Sequence, residues 1–166
     1  MTAQFTEVLR HQGETLSLCS YPLSVYWKSS ANPVELQSTS TGCWRGYVGT
    51  WEIVGDRLYL VKFWGHVQGE SGLKQVGLAD IFTGYPDGVF AHWFTGELRC
   101  PLGKRLRYVH SGFASKYERE LFITVRRGVV MFEREVVHGV AEESQLGLGS
   151  SFEDYVIPEF LRKQAD

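Results

Sequence analysis

From Tyr47 to Trp64 the chain alternates large apolar and polar side chains, with one break at Gly55-Asp56. Alternation at period two argues for half-buried strands rather than a helix. Val54-Gly55-Asp56-Arg57 reads as a two-residue hairpin turn with Gly55 first, as a type II′ turn prefers. In that register Ile53 faces Leu58 and Trp51 faces Leu60, while Glu52 opposes Tyr59 and Thr50 opposes Val61. Cross-strand neighbours share a face, so Trp51, Ile53, Leu58 and Leu60 mark the core side. The other face, with Tyr59, Val61 and Phe63, is mixed and is expected to be partly covered.

Three further hairpins are expected. One runs from about Glu118 to Val137 and turns near Arg127-Gly128, pairing Val130 with Val125 and Phe132 with Ile123. Another joins Val89–Cys100 to Lys104–His110 across a break at Pro101-Leu102-Gly103. A fourth pairs Thr6–His11 with Thr15–Ser20 around Gln12-Gly13-Glu14. Consecutive hairpins of this kind imply a mostly β, single-domain antiparallel β-sandwich or open barrel of about eight strands. Leu78–Phe82 is expected to form one helical turn, and a short C-terminal helix is expected from near Pro158. Lys28–Thr41 and Gly65–Gly77 read as loops. The β domain spans 1–141, and 142–166 reads as a polar linker and acidic tail.

A chain of 166 residues has room for one ordinary domain. Its Phe 10, Tyr 8 and Trp 5 supply a substantial core. No apolar run approaches the ~20 residues that span a bilayer, so no membrane role is expected. Met1–Glu7 has no basic n-region and no apolar h-region, and the three cysteines, Cys19, Cys43 and Cys100, are odd in number and widely spaced. A reduced, cytoplasmic protein is expected. Residues 99–137 carry 9 basic and 4 acidic side chains, whereas 138–166 carry 2 basic and 6 acidic. Strand faces and tail therefore differ in charge.

Candidate sites are few. Ser38–Tyr47 packs hydroxyls, a thiol, an indole and a guanidinium into ten residues. There the loop around Thr39 and Thr41 could offer backbone N–H groups to an anion, Arg45 could pair with carboxylate or phosphate, and Trp44 could stack on a ring. The competing reading is a loop whose hydroxyls satisfy their own backbone, with Trp44 in the core. His92, His110, Tyr117 and Glu118 form a second candidate set for acid–base chemistry, if strands bring them to the loop. Cys43 reads as a buried, inert thiol. Arg99, Lys104, Arg105, Arg107, Lys116 and Arg119 form a basic stretch that a partner or a nucleic acid could use. The overall charge of -2 and the lack of RNP1 or KH signatures make nucleic acid the less favoured partner. No catalytic residue, metal site or cofactor is assigned, since no HxH, HExxH, CxxC or Walker pattern is present.

The strings STSTGCWRGYVGTWEI, VFAHWFTGELRCPLG and YVHSGFASKYERELF resemble blocks shared by a small uncharacterised bacterial family of short, Trp-rich, single-domain proteins. The resemblance covers much of residues 15–130. It implies a bacterial cytosolic protein and carries over no activity and no functional residues. The small size, the aromatic content and the split charge favour a non-enzymatic protein-binding module. An immunity factor, inhibitor or accessory subunit of a bacterial conflict or defence system would fit, with a protein partner. A small-ligand or nucleotide-handling enzyme with its site at 39–47 is the alternative, and a nucleic-acid-associated subunit using 99–127 is the third.

Overall fold

A computed structural model describes residues 2–140. The expected linker and C-terminal helix lie outside the described residues. In chain order the elements are β1 (Glu7–His11), β2 (Glu14–Leu18), α1 (Pro22–Ser29), β3 (Tyr47–Val54), β4 (Arg57–Gly69), β5 (Gly72–Gly77), α2 (Leu78–Ile81), β6 (Val89–Phe90), β7 (Gly96–Arg107), β8 (Lys116–Arg126) and β9 (Val129–Val137). They form one nine-stranded sheet in the order β2-β1-β3-β4-β9-β8-β7, with β5 and β6 also pairing onto β4. The protein is mostly β, as expected, and the sheet is not closed. It is mixed rather than purely antiparallel, because β1 runs parallel to β3 with Leu9 opposite Trp51. The chain between them, including α1, is long enough for such a crossover.

The two end strands of the sheet are stitched together just beyond β2. Cys19 N–H donates to Arg99 O at 2.8 Å. Arg99 N–H donates to Ser20 Oγ at 3.0 Å, and that hydroxyl donates to Glu97 O at 3.3 Å. The curled sheet encloses Leu9, Leu18, Leu23, Trp51, Leu58, Leu60, Leu98, Cys100, Ile123 and Val125, all 0–1% exposed. Each such side chain contributes on the order of 1.5–3 kcal/mol by leaving water.

The β3–β4 hairpin has the expected pairs Ile53/Leu58, Glu52/Tyr59 and Trp51/Leu60. Gly55 takes φ +63° while Asp56 keeps a negative φ, the type II′ pattern. Thr50, however, faces Lys62, because a bulge between Thr50 and Trp51 leaves Val61 as the extra residue. The β8–β9 hairpin turns at Arg127 (φ +47°) and Gly128 (φ +80°) and pairs Val125 with Val130. A bulge between Thr124 and Val125 then sets Phe132 opposite Thr124 rather than Ile123.

Three expectations are corrected. Pro101-Leu102-Gly103 is no break: β7 runs through it and pairs with β8 from Gly96/Val125 to Arg107/Lys116. Pro101 is tolerated because β7 ends the sheet order, so its missing N–H faces no ladder, and Gly103 (φ +75°) absorbs a bulge there. Gly65–Gly77 is the β4–β5 hairpin rather than a loop, polar because much of β5 is solvated. Helix α1 occupies the start of the Lys28–Thr41 stretch and lacks a side-chain N-cap that would have signalled it. The single turn expected at Leu78–Phe82 is α2.

Candidate functional site

Arg45 lies in the loop that leads into β3, two residues before Tyr47, the first residue of that strand. Its Nε donates to Glu7 Oε1 at 3.3 Å, and its Nη1 donates to Tyr21 Oη at 3.4 Å. The guanidinium lies over the Tyr21 ring at 4.5 Å and the Tyr47 ring at 5.5 Å. Glu7 is 0% exposed, and its second oxygen accepts the Trp51 Nε1–H at 2.5 Å. Room for this carboxylate comes from Gly49, where a Cβ would lie 2.9 Å from Glu7 Oε2. Burial pushes the Glu7 carboxyl upward, opposed by the Arg45 charge and the Trp51 hydrogen bond. Arg45 Nη2 is buried with no acceptor among the described residues. Arg45 is therefore a buried pin that ties β1, the 30–46 loop and the entry to α1 together, with little of its side chain open to a ligand.

The rest of the hydroxyl-rich stretch satisfies itself. Ser38 Oγ donates to Ser40 O at 3.0 Å and Cys43 O at 3.1 Å, and Ser40 Oγ accepts from Gly42 N–H at 3.1 Å. Thr41 O accepts from Gln4 Nε2 at 3.0 Å, and Gln4 Oε1 takes the Trp44 N–H at 2.9 Å. Thr39 is exposed. Trp44 is 51% exposed, so it is not part of the core. Cys43 is buried and its thiol is pushed up by burial, as an inert cysteine would be.

The second candidate set is dispersed. His92 is exposed, with Nδ1 3.3 Å from Phe90 O and its ring against Trp93. His110 Nδ1 lies 2.5 Å from Tyr108 Oη. Tyr117 is buried inside the sheet, and Glu118 Oε2 accepts the Lys104 N–H at 2.9 Å across the β7 bulge. Arg45, His92, His110 and Glu118 are thus each engaged in a different part of the fold. Among the described residues no group of three or more His, Cys, Asp or Glu side chains is placed to hold a metal ion.

The basic stretch is likewise divided. Arg99 pairs with Glu120 and donates through Nη1 to Phe113 O at 2.9 Å. Glu120 Oε2 lies 2.6 Å from His138 Nε2. This cluster clamps the 108–115 loop onto β7 and β8, and Phe113 reaches the Tyr21 ring at 5.0 Å. Arg119 pairs with Glu135 at 2.8 Å, and Arg105 lies over the Tyr108 ring at 4.8 Å. Lys104, Arg107 and Lys116 are exposed along the same hairpin. Sequence reasoning passed over Glu7, Cys19, Tyr21, Glu120 and His138, whose partners are distant in the chain.

What remains open is β9. It pairs with β8 along its length, but with β4 only at Arg57/Val129. Val130 N–H still reaches Asp56 O at 2.7 Å, in the β3–β4 turn; β4 begins at Arg57 and runs the other way from there, past Tyr59 and Leu60, which pair with β6. Among the described residues, the outer edge of β9 from Met131 to Val137 has no strand partner. Met131 is 54%, Phe132 57% and Val137 70% exposed. Glu133 and Glu135 lie opposite Ile123 and Leu121 and so face the interior side, while Phe132, Arg134 and Val136 share the other face. Glu133 Oε1 is 2.5 Å from His11 Nε2.

In comparisons with known proteins, no family model, no curated protein and no solved structure matches the chain. Among the described residues, no helix is long and apolar enough to cross a membrane.

Proposed function

We propose that the protein is a non-enzymatic protein-binding module, and that its partner adds an extended strand to the free edge of β9. The observation that carries this reading is the Met131–Val137 edge, which has no strand partner among the described residues, with Met131, Phe132 and Val137 exposed beside it. A long free edge is normally blunted or covered, because its N–H and C=O groups recruit another chain. The two faces of β9 define the occupant: apolar side chains against Phe132 and Val136, and a basic side chain opposite Glu133 or Glu135.

The task is that of an immunity or inhibitor factor, or of an accessory subunit, in a bacterial conflict or defence system. The resemblance of the Ser38–Ile53, Val89–Gly103 and Tyr108–Phe122 strings to a bacterial family supports the bacterial setting. The free thiols of Cys19, Cys43 and Cys100 support a reducing, cytoplasmic one. The engaged state of Arg45 and the separation of His92, His110 and Glu118 support binding over catalysis at those residues.

The test is affinity capture from the native host with the tagged full chain and with the Met131→Lys/Phe132→Lys variant. The proposal expects a stoichiometric protein partner whose affinity falls about tenfold or more in the variant, the scale of an interface hot spot. Equal capture by both proteins, or capture of nucleic acid instead, would overturn it.

A further inference from the structure

The hairpin of β7 and β8 sets two cations against each other. Arg107 and Lys116 lie directly opposite in its register, and Lys104 stands on the same strand as Arg107. All three are exposed. Like charges directly opposite weaken a strand pair, so this pairing calls for a counter-charge. Among the described residues none of the three side chains has an acidic partner.

The chain leaves β9 beside this surface. Val137 pairs with Arg119, and the His138 and Gly139 N–H groups both donate to Glu118 O, at 2.7 and 3.4 Å. A Cβ on Gly139 would lie 3.8 Å from Leu106 Cδ1. The backbone at Gly139, bonded to β8, is thus also in reach of the β7 residue that precedes Arg107. Beyond Val140 the sequence runs Ala141-Glu142-Glu143, and 138–166 carries 6 acidic and 2 basic side chains. From Gly139 to Glu142 the chain spans at most about 10 Å.

We infer that Lys104, Arg107 and Lys116 form a docking surface for an acidic peptide segment, and that its occupant is this chain's own stretch beginning at Glu142-Glu143. Exposed ion pairs are weak one at a time. A short tether holds these partners at an effective concentration on the order of millimolar, which makes several weak pairs sufficient. The contact masks the charge that a nucleic acid would otherwise use on this hairpin. It lies on the β7 side of β8, so it leaves the Met131–Val137 edge uncovered and does not depend on the reading given to that edge.

The test is zero-length carbodiimide coupling of the full chain, which joins a lysine amine to a touching carboxylate as an amide with loss of water. An equal mixture of light and nitrogen-15 protein separates links within a chain from links between copies. The expected result is coupling of Lys104 and Lys116 to Glu142 or Glu143 within one chain, at about five times or more the yield at the exposed Lys28 and Lys74. Raising salt from about 0.1 M to about 1 M shortens the screening length from about 10 Å to about 3 Å and suppresses these links, a series that needs no variant. Arg107→Glu keeps both lysines and lowers their yield by about threefold or more. Links spread evenly onto Lys28 and Lys74, links unmoved by salt or by folded Arg107→Glu, or no link at all would overturn the docking. Links found only between light and heavy chains would give the surface to a second copy. Loss of the links to equimolar oligodeoxythymidylate at about 0.15 M salt would give it to nucleic acid. Either result overturns the occupant named here.

Discussion

Trp51 Nε1–H donates to Glu7 Oε2 at 2.5 Å in a part of the core where both side chains are 0% exposed. The indole supplies a donor to one carboxylate oxygen while Arg45 supplies the other, so β1, β3 and the 30–46 loop are fixed by one buried acid. A buried carboxylate with both oxygens engaged is tolerated; a buried guanidinium without it is not.

Glu7→Ala is therefore expected to destabilise the protein by about 3–5 kcal/mol, because it strands the Arg45 charge in the interior. The paired change Glu7→Leu/Arg45→Met removes both charges and recovers a substantial part of that loss. Urea unfolding measures both. A loss under about 1 kcal/mol for Glu7→Ala would mean that the charge finds water instead.

Stability is expected to fall at alkaline pH. Burial pushes the Cys19 thiol up from 9.0 to about 12 and the Tyr21 hydroxyl from 10.0 to about 12. Each group has its folded value above its unfolded value, so its contribution is complete below the unfolded value and is lost as pH rises through the folded one. The native state holds protons that the unfolded chain has released, giving a slope of about 1.4 kcal/mol per pH unit per group between the two values. Cys19→Ser removes one of these groups and shallows the decline between 9.0 and about 12. Denaturant midpoints across that range are the readout.

Two turn glycines separate backbone strain from crowding. Gly55 (φ +63°) has open space where a Cβ would go, whereas a Cβ on Gly128 (φ +80°) would lie 2.7 Å from Ala91 O. Gly128 also receives Leu58 N–H on its carbonyl at 2.8 Å and gives its own N–H to Phe94 O at 2.9 Å. Gly55→Ala is expected to cost about 1 kcal/mol from the positive φ alone. Gly128→Ala costs more than that, because backbone must shift as well. Thermal unfolding of the two variants side by side gives the difference.

The ion pairs divide by burial. Arg119–Glu135 and Arg134–Glu97 are exposed, and alanine at either arginine is expected to change stability by less than about 1 kcal/mol. Arg99 instead holds the Phe113 and Ser115 carbonyls. Arg99→Ala is expected to release the 108–115 loop, seen as new cleavage there in limited proteolysis while Arg134→Ala shows none.

Local pattern made the hairpins legible. Ile53/Leu58 and Trp51/Leu60 follow from alternation and one glycine turn, and Val125/Val130 follows the same way. The bulges at Thr50/Trp51 and Thr124/Val125 leave no local sign, so positions beyond them shift by one. Pro101 reads as a breaker until its strand is known to end the sheet order. The parallel β1–β3 pairing and the Glu7–Arg45–Trp51 cluster join residues about forty positions apart, a closure that no periodicity encodes. Arg45 stood out in the chain for its chemistry, and its role came only with Glu7.

The most direct test of the account is amide hydrogen exchange across β9, in the free protein and in the captured complex. An unpaired edge predicts rapid exchange at the outward amides of Met131–Val137 in the free protein and marked protection in the complex. Strong protection of that edge in the free protein, or exchange unchanged by the partner, would contradict strand addition at β9.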